Sequence, residues 1–405
     1  MSTIKKIQNK TIVPRLTKDS NDDILKCLNK YIDDFDIDFK KNGFIKFLHK
    51  SLQSAKKDLK NIVYEEQIIN IDETNPHTLK STYFLHDSIV QHIKKNLNLC
   101  YRTKMIIYEK YTFFVNIYFN AKQKVNIKKM NYYIKFLLCF CLQYHKDTEK
   151  VDFNISIYLG EIKKGLSSGF TNTIESKHIN SGYYFYNPTN STSNIVVFRR
   201  EEWYKTLVHE CIHCFNLDIH SSNISFKTIM SDCFYINSKM LVNEALTEFW
   251  GRTINCAILT YHGIASDTYE DFLHIYSLNL NIERMHSLYK IIKLLGIFDL
   301  EYKNVIDKNT KAISSKLYKE ETNAFCYYVI SGLLMFKYDN TLQWFTNNDY
   351  KTINFEKTER QVMILVYYIK QISKDKTLLE LLDKLKNDKL PIKNMKMSIF
   401  ELDIN

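Results

Sequence analysis

His209, Glu210 and His213 stand in the order His-Glu-x-x-His within residues 203–217, which read WYKTLVHECIHCFNL. On a helix, positions i and i+4 lie one above the other on the same face. His209 and His213 can therefore present two imidazole nitrogens to one point. Glu210 is turned from His209 by about 100°, so it flanks an ion held there rather than ligating it. Two imidazoles beside a carboxylate suit zinc-assisted hydrolysis: the ion activates a water and the carboxylate takes its proton. A third ligand stands downstream, where Glu244 and Glu248 again share a face at i, i+4 in NEALTE. One of these carboxylates can complete a site of two histidines and one glutamate, leaving the fourth position to water. The other can accept the spare N–H of a ligand imidazole and fix its tautomer.

Two helices must carry these groups. Leu207, Val208, Cys211, Ile212 and Phe215 form one apolar stripe at helical spacing, with the histidines beside it on a different face. The first helix can thus anchor in a core and still offer a metal-binding face. Glu201 and Glu202 put negative charge at its start, which suits the helix dipole. The second helix continues past Glu248 through residues 249–259, and Arg252 is placed either to pair with Glu248 or to reach the site.

At this point the chain resembles the gluzincin, thermolysin-like zinc metallopeptidases. Their pattern is His-Glu-x-x-His, a spacer, then a helix carrying a ligand Glu with an acidic residue four positions later. The resemblance implies that His209, His213 and Glu244 are zinc ligands, Glu210 the general base and Glu248 the acid supporting a ligand. The spacer to Glu244 is longer than in thermolysin, as it is in other gluzincins. The family's strand beside the cleft pairs with substrate backbone. Here that role falls to residues 181–186, with Gly182 and Tyr183 nearest, by β-augmentation. A Tyr, His or Arg from the later domain usually steadies the oxyanion, which points to Tyr327 or Tyr328. His220, seven residues after His213 with no intervening Gly, does not match the third histidine of metzincins.

The remaining pattern is read for what positions this site. An arm over residues 1–20 precedes a mostly helical stretch to about Leu99, with Asp22 or Asp23 as a cap and Asp87 capping a further helix. Residues 105–119 are β-branched and aromatic and read as strand. Residues 131–144 read as a buried helix, and residues 151–159 alternate with a period of two, a half-buried strand. Short strands are expected over 182–186 and 194–199, separated by a turn at Pro188. A polar link covers 218–239, and helices follow over 268–295, 321–338, 357–375 and 378–386. The expected fold is α+β and mostly helical, with a small mixed sheet packed on the His-Glu-x-x-His helix, in the zincin manner, and a helical C-terminal domain. The expected blocks are 1–103 (helical), 104–259 (catalytic) and 260–405 (helical).

With 405 residues, 45% of them hydrophobic, the chain can bury more than one core. Only 9 Gly and 4 Pro argue for helices with compact connections. The net charge of +11 is spread along the chain and fits solvated lysines. It can also draw in acidic peptides or nucleic acid, although no aromatic–basic nucleic-acid motif accompanies it. Nine cysteines, an odd count with no secretory signal ahead of them, suit free thiols in a reducing compartment. Cys211 and Cys214 form a Cys-x-x-Cys whose first member points away from the histidine face, so both are expected in a core. The apolar runs are too short to span a bilayer, so no membrane partner is expected. Richness in Lys, Asn, Ile and Tyr accompanies AT-biased genomes such as those of large DNA viruses, an association of composition only. The expected setting is cytoplasmic or virion-associated, without secretion. The leading expectation is a zinc peptidase acting on a polypeptide. Its rivals are an inactive zincin-fold structural protein and a basic nucleic-acid-binding protein.

Overall fold

A computed structural model describes residues 31, 43–71, 79–146, 152–166, 170, 172–219, 224–346, 357–387 and 394–405. The expected arm over residues 1–20, the cap at Asp22 or Asp23, and His220 lie outside the described residues. The chain is α+β, with most of its regular structure helical and one six-stranded mixed sheet. It forms two compact units. The sheet unit comprises Lys50–Lys164, Ile179–Leu217 and Glu401–Asn405; the helical unit comprises Met1–His49, Gly165–His178 and Asp218–Phe400. The units interleave along the chain. No helix among the described residues is long and apolar enough to cross a membrane.

After α1 (Gly43–Asp58), the sheet unit contains β1 (Val63–Asn70), α2 (Asp87–Asn96), β2 (Leu99–Ile107), β3 (Tyr111–Phe119), α3 (Ile127–Leu142), β4 (Asp152–Tyr158), β5 (Gly182–Asn187), β6 (Thr192–Val197) and α4 (Trp203–Cys214). The strand order is β1-β2-β3-β4-β6-β5. β1, β2 and β3 run antiparallel, β3, β4 and β6 parallel, and β5 antiparallel to β6. The alternation expected in β4 is realised: Phe153, Ile155 and Ile157 are buried between the more exposed Asp152, Asn154 and Ser156. Phe113, Val115 and Ile117 of β3 and Ile195 and Val197 of β6 are buried as well. Each such side chain contributes roughly 1.5–3 kcal/mol of transfer free energy. α4 packs on β5 and β6. It also meets α3, where the Tyr133 and Tyr204 rings cross edge to face at 5.5 Å.

Two departures from the sequence reading have physical causes. β1 lies in a stretch expected to be helical. It is an edge strand exposed along almost its whole length, so no apolar alternation marks it. The strand expected over 105–119 is a hairpin of β2 and β3. Its turn residues Tyr108 and Glu109 have φ of 54° and 56°. Such a turn normally announces itself with Asn or Gly. α2 is capped by the side chain of His86, which accepts from Ser88 N–H, and not by Asp87.

The helical unit contains α5 (Ile224–Cys233), inside the segment expected to be a polar link, then α6 (Val242–Gly263), α7 (Tyr269–Gly296) and α8 (Ser331–Phe336). α7 starts on Thr268, whose hydroxyl accepts from Asp271 N–H. α6, α7 and α8 pack on one another, and Trp250 of α6 lies edge to face with Phe345 at 4.9 Å. The helix expected over 321–338 opens with a π-helical turn, Phe325–Ile330, that packs on α6 and α7. Helices Glu359–Ile372 and Lys376–Asn387 match the two expected near the C-terminal end.

Glu320 holds the entry to the π turn. Its carboxylate accepts from Ser238 Oγ, from Tyr318 Oη at 2.7 Å and from Phe325 N–H at 2.8 Å. Burial raises its pKa from 4.5 to about 7 despite these donors. Between pH 4.5 and about 7 the folded state therefore holds a proton that the unfolded chain has released, and stability falls as pH rises through that window. Between pH 5 and 7 the wild type should lose roughly 1 kcal/mol of stability per pH unit relative to Glu320→Gln, levelling off above 7. Denaturant midpoints of the two proteins across that range check it. Parallel curves would mean that Glu320 does not titrate there.

Candidate metal centre

In the sheet unit, α4 places the predicted residues as the spacing implies. His209 Nε2 and His213 Nε2 lie 3.3 Å apart, on rings inclined at 70°. Two nitrogens at that separation can direct lone pairs at one ion. His209 and Glu210 are 6% exposed, so both lie in a low-dielectric setting where charge–charge and charge–dipole terms are strong. The apolar stripe Leu207, Val208, Cys211, Ile212 and Phe215 is buried throughout, which fixes the rotation of the helix. All eight cysteines among the described residues are free and buried. Burial pushes the Cys211 and Cys214 thiols up, so both stay protonated as core groups.

The start of α4 is held by charge. Glu202, the residue before the helix, has φ 55°. Its carboxylate pairs with Lys164 Nζ at 2.8 Å, both side chains being fully buried. Glu201 accepts from the Lys164 backbone N–H. The acidic pair thus has a buried cationic partner as well as the helix dipole, and the distance in sequence hid it.

Gly182 opens β5 against Glu210. A Cβ at position 182 would lie 2.7 Å from Thr206 Cγ2, 2.9 Å from Val196 O and 3.1 Å from Glu210 Oε1. The absence of a side chain is what lets the strand start run this close to the carboxylate. β5 is the terminal strand, as the reading of residues 181–186 as an edge required. Tyr183, expected beside Gly182 at the site, points to the opposite face of the sheet, because successive side chains alternate. There it is buried with Leu79, Val196 and Phe198.

In the helical unit, Glu244 sits in the first turn of α6 and Glu248 one turn on. Glu248 Oε1 accepts from Arg252 Nε at 2.9 Å, and both side chains are fully buried. Arg252 also donates from Nη1 to Ser287 Oγ and from Nη2 to the Tyr327 carbonyl at 3.0 Å. Glu283 Oε1 lies 4.0 Å from Arg252 Nε, and its Oε2 accepts from Ser398 Oγ and Ile399 N–H. One guanidinium therefore ties the helix carrying Glu244 to α7 and to the π turn. Of the two oxyanion candidates, Tyr328 is fully buried and its hydroxyl donates to the Met395 carbonyl, which commits it to the core. Tyr327 is half-buried. His286 is enclosed, and burial with Lys290 and Arg252 nearby drives its pKa well down.

Compared with family models, with curated proteins and with solved structures, the chain matches none.

Proposed function

We propose that the chain is a zinc-dependent metallopeptidase that hydrolyses peptide bonds, with His209, His213 and Glu244 as ligands and Glu210 as general base. The observation that carries this is the imidazole pair on α4: His209 Nε2 and His213 Nε2 lie 3.3 Å apart, with Glu210 on the same helix, and Glu244 is the carboxylate that the sequence pattern offers as third ligand. Two imidazoles and one carboxylate are borderline-soft donors suited to zinc, and three protein ligands leave a position for water. A zinc ion held there supplies Lewis acidity, lowering the pKa of a water toward neutrality and polarising a carbonyl.

The chain's own residues do the rest. Glu210 takes the proton from the water and hands it to the departing amine. Gly182, whose lack of a side chain brings the start of β5 against Glu210, sets the β5 edge beside the carboxylate for a peptide to pair along it. Glu248, paired with Arg252, holds the helix one turn beyond Glu244. Tyr327 is the remaining candidate to donate to the developing oxyanion.

The test is metal content and cleavage measured on the same sample. We expect one zinc per chain and cleavage of denatured polypeptides, with chelation abolishing cleavage and zinc restoring it. Zinc bound without cleavage of any of a broad peptide set would favour a structural role. A chain that takes up no zinc would end the proposal.

A further inference from the structure

The two edges of the sheet are built differently. β1, at one edge, carries Glu65 and Glu66 in solvent, the usual charge that keeps an edge from pairing. β5, at the other edge, reads GYYFYN and carries no charge. Among the described residues no strand pairs with its outer side. Phe198 N–H donates to Ser181 O at 2.8 Å. From there the antiparallel ladder alternates, and it turns the backbone of Gly182, Tyr184 and Tyr186 away from β6.

The side chains alternate as well. Gly182 faces Glu210, while Tyr183 and Phe185 face the opposite side of the sheet. On that side lies a cavity of about 530 Å³. Tyr83, Phe84, Tyr183 and Phe185 form its walls, and Asn154 and Asn194 its floor. Phe84 and Tyr183 stack 6.1 Å apart at 19°, and Tyr183 and Phe185 6.0 Å apart at 30°. Phe84 is 40%, Phe185 44% and Tyr83 64% exposed, an aromatic patch of the kind that marks a recognition surface. Asn154 Nδ2 donates to Asn194 Oδ1 at 3.2 Å, so the floor is polar and neutral. Among the described residues Lys80 is the one charged member of the lining.

We propose that this cavity selects the substrate: it takes Phe or Tyr side chains at alternate positions of an extended polypeptide added to the β5 edge. The proposal rests on the peptidase reading for the scissile bond's place beside Glu210. An added strand puts every second side chain on the Tyr183–Phe185 face. There a ring gains apolar burial and offset stacking, and a Tyr hydroxyl meets a carboxamide. The intervening residues fall on the other face of the sheet, the face of Gly182 and Glu210.

The test reads binding on zinc-loaded Glu210→Gln protein, so it does not depend on turnover. The probes are two fluorescein-labelled, N-acetylated ten-residue peptides, identical except for Phe or Ser at three alternate positions. By fluorescence anisotropy the Phe peptide should bind about tenfold more tightly. Phe185→Ser and Phe84→Ser should each remove most of that preference, while Tyr367→Ser, at an exposed aromatic in the helical unit, should retain it. Thermal melts confirm that the variants fold. Equal affinities, no binding of either peptide, or a preference that survives both Phe substitutions would overturn the proposal. Failure of the wild type to cleave any peptide, with the preference intact, would instead tell against the peptidase reading alone.

Discussion

Glu210→Gln is expected to lower peptide hydrolysis by about a hundredfold to ten-thousandfold, the usual worth of a positioned general base. Gln has nearly the shape of Glu, so packing against Gly182 changes little. What it lacks is a basic oxygen to take the water's proton. Because Glu210 is proposed as no ligand, zinc per chain should stay at the wild-type value, measured by atomic absorption on the sample used for kinetics. The loss should fall on kcat with KM largely kept, since the carboxylate acts in the transition state. His213→Ala gives the contrasting pattern, losing zinc and cleavage together. A Glu210→Gln protein that still cleaves would remove the base from the scheme while leaving the metal site standing.

Arg252→Met is expected to destabilise the helical unit by roughly 3–5 kcal/mol, the cost of removing one partner from a buried ion pair. Arg252 and Glu248 are both fully buried, and Glu283 is buried beside them. The substitution takes a guanidinium from two enclosed carboxylates and takes a donor from the Tyr327 carbonyl. Met fills much of the volume, so the loss reports charge and hydrogen bonding more than a cavity. Arg252→Lys keeps the charge but cannot bond Glu248, Ser287 and Tyr327 at once, and should fall between the two. The readout is the denaturant midpoint of the unfolding step followed by Trp250 fluorescence, that side chain lying two residues from Arg252. A midpoint unchanged in Arg252→Met would mean that the network contributes nothing to stability.

Much of the local structure is legible in the residues. The helices of Trp203–Cys214 and Val242–Gly263 follow from apolar periodicity, and β4 from its alternation. Arg252 pairs with Glu248 because i and i+4 are neighbours on any helix. Other features left no mark. β1 is solvated on both faces, so its residues carry no buried pattern. The β2–β3 turn uses Tyr108 and Glu109 in left-handed geometry, where their types give no warning. The helix Ile224–Cys233 stands in a segment that reads as polar link.

For this protein the sequence alone determined what depends on neighbours within a helical turn. That covers the imidazole pair on one face, the adjacent carboxylate, and the second helix with acids one turn apart. Tertiary structure decided everything that joins distant positions. It brought Gly182 against Glu210, Lys164 under Glu202, the Tyr327 carbonyl to Arg252, and Phe84 over Tyr183. It also left β5 at the edge of the sheet. The reason is physical: helical spacing is set by backbone hydrogen bonds four residues apart. Strand order and long-range side-chain contact are chosen by burial of the whole chain, which no local stretch of residues encodes.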